Sequence, residues 1–182
     1  MMHGVIPLDA VLREATRAAY RDLVTRPTGA AVRHRLVSAL RDHDRTEALL
    51  DFSRIGLVDF SCADEVVAKL IVALHELPVS RVVLQGVRED QAEAIEHALM
   101  RHGLAVLALE DGSNRPRLLG TIADDGRAVF AILELVLRAT AAPIAARLAW
   151  PEARARRALD DLAAGRCILA HPDATYELGA FA

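Results

Sequence analysis

Leu8, Val11, Leu12 and Ala15 fall at i, i+3, i+4 and i+7, one apolar stripe of a helix, and Val5-Ile6 before Pro7 leave room for a short strand ahead of it. Residues 20–24 suit extended chain. Pro27-Thr28-Gly29 then opens a second helical pattern, with Val32, Leu36, Val37 and Leu40 on one side. From residue 48 onward, strand and helix alternate: strand 48–52, helix 62–76, strand 81–85, helix 89–101, strand 105–109. Such alternation predicts an α/β sheet. Turn formers crowd from Glu110 to Pro116, and a short return strand is expected over 117–121. Asp124-Asp125-Gly126 reads as a boundary, dividing the chain into domains 1–123 and 124–182. Beyond it the pattern predicts helices over 127–138, 142–148 and 151–164. Two short strands, 167–170 and 176–178, follow around the turn His171-Pro172-Asp173-Ala174.

Hydrophobic residues make up 53% of the 182 residues and aromatics only 4%, so the core must come from Leu, Val, Ile and Ala. That length supports one good core or two small ones. Lys69 is the only lysine; arginine stands in elsewhere, which reads as coding bias more than as adaptation to nucleic acid. The chain start lacks a basic region followed by an apolar core, and Cys62 and Cys167 lie far apart, so a reducing cytoplasm is the expected setting. No apolar run approaches the roughly 18 residues of a membrane span. Charge is uneven: residues 1–45 hold 8 basic and 5 acidic side chains, 46–125 hold 7 and 14, and 126–182 hold 7 and 6. An acidic middle repels phosphate backbones, so any DNA contact belongs to the ends of the chain.

The stretch Leu49-Leu50-Asp51-Phe52 through Asp59-Phe60-Ser61-Cys62-Ala63-Asp64-Glu65 reads as a buried strand, a loop and a helix start. It resembles the STAS domain (sulfate transporter and anti-sigma factor antagonist), where Asp-Ser-Ser-Gly opens a helix after such a strand. The likeness is closest to a STAS-like branch of unknown function whose helix entry reads roughly Ser-Phe-Ala-Asp-Glu, and Arg26-Pro27-Thr28-Gly29 is similar to that branch's Arg-x-x-Gly. The resemblance spans about 25–109. It implies an α/β domain with a mixed sheet that docks onto partners instead of turning over a substrate. It also implies an anti-sigma-type or histidine-kinase-like ATPase as partner, and Ser61 as the position corresponding to the phosphorylated serine. Asp59, Phe60, Ser61, Cys62, Asp64 and Glu65 are then the expected partner-binding residues.

Phe60, Cys62 and the pair Asp64-Glu65 depart from the antagonist pattern, and Asp64 competes with a phosphate for the same amide donors. Ser61-x-x-Asp64 also reads as a capping box, with the Ser61 hydroxyl as N-cap. Asp51 and Asp59 suit the holding of loop amides. Cys62 is either a small buried residue or, with a thiol activated by the helix start, a redox switch.

Three helices and a terminal hairpin predict a winged helix at the C-terminus. Pro143-Ile144-Ala145-Ala146-Arg147-Leu148 resembles the second helix of winged helix-turn-helix regulators, and Ala158 to Ile168 resembles the end of their recognition helix entering the wing. Arg154, Arg156 and Arg157 are the DNA-binding candidates, but Arg156–Asp160 and Arg157–Asp161 pairs at i, i+4 are expected to neutralise two of them. This supports a second function class, a transcription regulator in which the STAS-like half senses or forms a homodimer; a scaffold without a switch is a third. His3, His34, His43, His75, His97, His102 and His171 form no His-x-x-x-His pair, and His97 and His102 read as surface residues. No phosphate-cradling glycine loop or nucleophile elbow is present. No catalytic residue, cofactor or metal is therefore expected.

Overall fold

The computed structural model describes residues 4–42 and 46–179. His3 and His43 lie outside the described residues. The chain divides into two compact units, Met1–Thr121 and Ile122–Ala182.

In the N-terminal unit, β1 (Gly4–Pro7), β2 (Glu47–Asp51), β3 (Arg81–Val87), β4 (Ala105–Glu110) and β5 (Pro116–Gly120) form one mixed sheet in the order β1-β2-β3-β4-β5. The first four strands run parallel and β5 returns antiparallel to β4. Between them come α1 (Leu8–Thr16), α2 (Arg26–Arg41), α3 (Phe60–Ala63), α4 (Lys69–Ala73) and α5 (Glu89–His102). Parallel neighbours that follow one another in sequence need right-handed crossovers, and these place every connecting helix on the same face of the sheet. Ala48, Leu50 and Phe52 of the β2 segment, Val82 and Leu84 of β3, and Val106 and Ala108 of β4 join the helices' Leu12, Leu36, Val66 and Ile95 in one core. The intervening Leu49, Val83 and Leu107 are buried as well. Burial of both sets explains why these strands read as apolar runs without alternation.

The helix expected over 62–76 starts earlier and is not uniform. α3 runs into a π-turn, Asp64–Ala68, then α4, then a 3-10 turn, Leu74–Glu76. In the π-turn the Lys69 amide bonds back to the Asp64 carbonyl, an i→i+5 reach that is rare outside functional or strained sites. Residues 20–24 form no strand; their one ladder contact is an isolated parallel bridge between Leu23 and Val58.

The C-terminal unit contains α6 (Asp124–Val136), α7 (Ala141–Leu148) and α8 (Glu152–Ala164), with β6 (Arg138–Thr140), β7 (Leu169–Ala170) and β8 (Thr175–Glu177) in an antiparallel sheet of order β6-β8-β7. The sequence pattern assigned Arg138 to a helix end. Instead Leu137 takes a positive φ of 63°, its amide closing on the Leu133 carbonyl, and the chain leaves the helix to become β6.

Candidate functional site

The carboxyl end of β2 leads into a loop and then α3, and the loop's geometry is set by side chains from three other segments. Asp51 Oδ1 accepts from the Ser53 amide at 2.9 Å. The Ile55 and Gly56 carbonyls accept from Arg88 Nη1 and Nη2 at 2.8 and 2.9 Å, and both also accept from Gln91 Nε2 at 3.0 Å. On the opposite side the Gly56 amide bonds the Arg21 carbonyl, and the Leu57 amide donates to Asp22 Oδ1 at 2.9 Å. Leu23 and residues 57–59 then exchange two backbone bonds. A loop bonded this densely is preorganised. Even so, Leu57 at its crest is 61% exposed.

The cap of the following helix is Asp59 and not Ser61. α3 begins at Phe60, and Asp59 Oδ1 accepts from the Cys62 amide at 2.7 Å and from the Ser61 hydroxyl at 3.0 Å. Its Oδ2 accepts from the Thr25 amide at 2.8 Å. Ser61 therefore sits inside the first turn as a half-buried hydroxyl donor, and the expected capping box with Asp64 does not form. Burial works against the Asp59 charge, but the Thr25, Cys62 and Ser61 donors outweigh it and hold the carboxyl below its usual range. Asp51 and Asp59 thus both hold loop amides.

Cys62 is fully buried, its Sγ donating to the Thr25 carbonyl at 3.0 Å. Burial, reinforced by the Asp59 charge, pushes the thiol up to about 12, so it stays protonated at neutral pH. Full burial and a raised thiol together fit the small buried residue and speak against the redox switch. Gly29 faces the same spot. A Cβ there would lie 2.9 Å from the Glu65 Cβ and 3.0 Å from the Cys62 Cα, so only glycine lets α2 approach the start of the broken helix this closely.

Asp64 and Glu65, expected on a docking surface, are 6% and 3% exposed. Arg26 Nη1 bridges them at 2.8 and 2.7 Å, Arg33 Nε reaches Glu65 at 3.2 Å, and Lys69 pairs with Glu65 and lies 3.7 Å from Asp64. His102 is exposed, as expected of a surface residue, but its Nε2 also meets Asp64 Oδ1 at 2.6 Å. Burial raises the cost of both charges. His102 and Arg26 at Asp64, and Lys69, Arg26 and Arg33 at Glu65, overcome it and keep both carboxyls below their usual range. Hence Cys62, Asp64 and Glu65 brace α2, the π-turn and α5 from within and offer nothing to a partner. Phe60 remains half-buried, with the Arg101 guanidinium 5.6 Å from its ring centroid.

In the C-terminal unit the three arginines of α8 are all exposed. Arg154 forms a bidentate pair with Asp125 at 2.8 and 2.6 Å and lies 4.0 Å over the Trp150 ring. Arg156 pairs backwards with Glu152, not forwards with Asp160, whose carboxylate accepts the Tyr176 hydroxyl at 2.6 Å. Arg157 has no ion pair among the described residues, so the expected Arg157–Asp161 bridge is absent.

Sequence reasoning missed the loop clamp of Asp22, Arg88 and Gln91 and the counter-charges Arg33, Lys69 and His102. Of the residues around this site contributed by α2, the Arg-x-x-Gly likeness singles out only Arg26 and Gly29. Among the described residues no cluster of His, Cys, Asp or Glu has a metal-holding arrangement, and no helix is long and apolar enough to cross a membrane. The chain matches no protein-family model, no curated protein and no solved structure.

Proposed function

We propose that the N-terminal unit is a STAS-like protein-docking module of the anti-sigma factor antagonist kind, acting in the cytoplasm on an anti-sigma-type or histidine-kinase-like ATPase. One observation carries this reading: a large apolar side chain, Leu57, stands 61% exposed on a loop that Asp22, Arg88 and Gln91 hold in one conformation. A protein gains nothing for its own core from such a residue. A preorganised apolar anchor, in contrast, binds a partner without an ordering cost. Phe60 and Ser61, three and four residues further along the chain and both half-buried, extend the proposed surface, and Asp59 caps the helix that carries them.

Ser61 is the proposed covalent switch. Its hydroxyl donates to Asp59, so a phosphate would remove that bond and bring a charge of about −2 beside a carboxylate already kept ionised. Repulsion at the cap would loosen the helix start and the loop it anchors, releasing the partner. The test is calorimetric titration with an anti-sigma-type ATPase from the same genome, together with mass spectrometry after incubation with ATP. Leu57→Arg should weaken binding by about tenfold or more, as expected for an interface anchor. Ser61→Ala should bind normally and take up no phosphate. Undiminished binding by Leu57→Arg would sink the docking proposal.

The second reading, a DNA-binding regulator, draws on the C-terminal unit. Three helices and an antiparallel β6-β8-β7 sheet are compatible with a winged helix, and Arg157 has no ion pair among the described residues. Because Asp125 and Glu152 neutralise Arg154 and Arg156, little charge is left for phosphates, and this reading ranks second. It predicts DNA affinity that falls steeply with salt and drops in Arg157→Ala.

A further inference from the structure

α2 carries four arginines, a histidine and no acidic residue over Arg26–Arg41, with Asp42 standing just beyond as the C-cap. Gly29, Val32, Leu36 and Leu40 form its buried side. On the remaining surface Arg26, Arg33 and Arg41 recur at i, i+7 and i+15 along one flank, and His34 and Arg35 continue the positive charge around the helix. All of these are exposed except Arg33, which is half-buried.

Asp64 and Glu65 reach this flank from the π-turn, but they engage Arg26 through Nη1 and Arg33 through Nε only. The other guanidinium nitrogens of both residues, and all those of Arg35 and Arg41, have no hydrogen-bond partner among the described residues. Lys69 draws on the same two carboxylates, so the cations outnumber them. Like charges gathered on one helix face add nothing to the stability of the fold. From Arg26 to Arg41 the stripe is about 22 Å long, at about 1.5 Å per residue. A nucleic acid or an anionic membrane carries its charge well past that length and would meet residues 46–125, with 14 acidic side chains against 7 basic. A short run of carboxylates ends where the stripe ends, and each carboxylate can pair bidentately with a guanidinium. From this charge complementarity we infer that the outer face of α2 docks an acidic segment of a protein partner, held by Arg26, Arg33, Arg35 and Arg41. The inference does not rest on the Leu57 surface.

Amide NMR on the full chain during titration with a glutamate peptide of about eight residues, which spans the stripe when extended, tests it. Shifts should concentrate on α2 and Lys69, and affinity should fall at least about fivefold from low to physiological salt. Arg35→Glu combined with Arg41→Glu should weaken the peptide about tenfold at unchanged circular dichroism, since neither side chain has an ion pair to lose among the described residues. The same double reversal at the exposed Arg127 and Arg147, in the C-terminal unit, should leave affinity within about twofold of wild type. Absent or scattered shifts at low salt, undiminished binding by the α2 variant, tighter binding of an oligonucleotide of equal charge, or α2 shifts that arise on concentrating the protein alone would each overturn it.

Discussion

Replacing Asp59 by alanine removes the acceptor for three donors at once: the Cys62 amide, the Thr25 amide and the Ser61 hydroxyl. Loss of an N-cap costs about 1 kcal/mol. The Thr25 bond, made at an exposed position, adds about 1 kcal/mol. Thr25 also holds a positive φ of 71°, a conformation costly for a branched residue, and the Asp59 bond helps keep it there. Release of that strain returns part of the loss, so the expected cost of Asp59→Ala is about 2 kcal/mol. At a typical urea m-value this lowers the unfolding midpoint by roughly 1 M. Ser61→Ala removes one half-exposed hydroxyl bond and should cost about 0.5 kcal/mol. Urea titration by far-UV circular dichroism measures both variants, and amide exchange at Thr25 and Cys62 shows whether the loss is local. The order of the two costs carries the reasoning. If Ser61→Ala destabilises as much as Asp59→Ala, then Asp59 is not the cap and the account of the helix start fails.

Gly29→Ala should destabilise by about 1–3 kcal/mol in a thermal melt, since its methyl group overlaps the Glu65 Cβ and Cys62 Cα and neither can move cheaply. With its thiol pushed up to about 12 and fully buried, Cys62 should react with a disulfide reagent at pH 8 at least about a hundredfold more slowly in the native protein than in urea; fast native labelling would contradict its burial. Asp59, Asp64 and Glu65 bind protons less tightly folded than unfolded, so their stabilisation is complete above the usual carboxylate range. It is lost as pH falls from about 4 through their lower folded values, which a series of urea midpoints from neutral to acid pH would reveal.

The strands from residue 48 to 120 and most helices were legible in the chain because burial of one face, or of both, forces apolar residues into short runs or 3.6-residue stripes. What escaped was whatever depends on residues distant in sequence. Asp59 and Ser61 are both good caps two positions apart. The choice between them rests with the Thr25 amide, which arrives 34 residues upstream to bind Asp59. The π-turn has no signature of its own; it puts two neighbouring carboxylates where Arg26, Arg33, Lys69 and His102 converge from α2, α4 and α5. Those carboxylates look like surface charges in the sequence because charge is normally exposed. β6 continues a helical pattern and exists only because Leu137 turns the chain toward β8.

By itself the sequence determined an alternating α/β half, a helical half with a terminal hairpin, an acidic middle and a short list of chemically capable residues around Asp59. Tertiary structure alone decided which of these reach solvent. Asp64, Glu65 and Cys62 went inside and Leu57 stayed out. The physical reason is that hydrophobic periodicity is a local property of the chain, whereas the burial of a charge depends on counter-charges that only folding brings within hydrogen-bond reach.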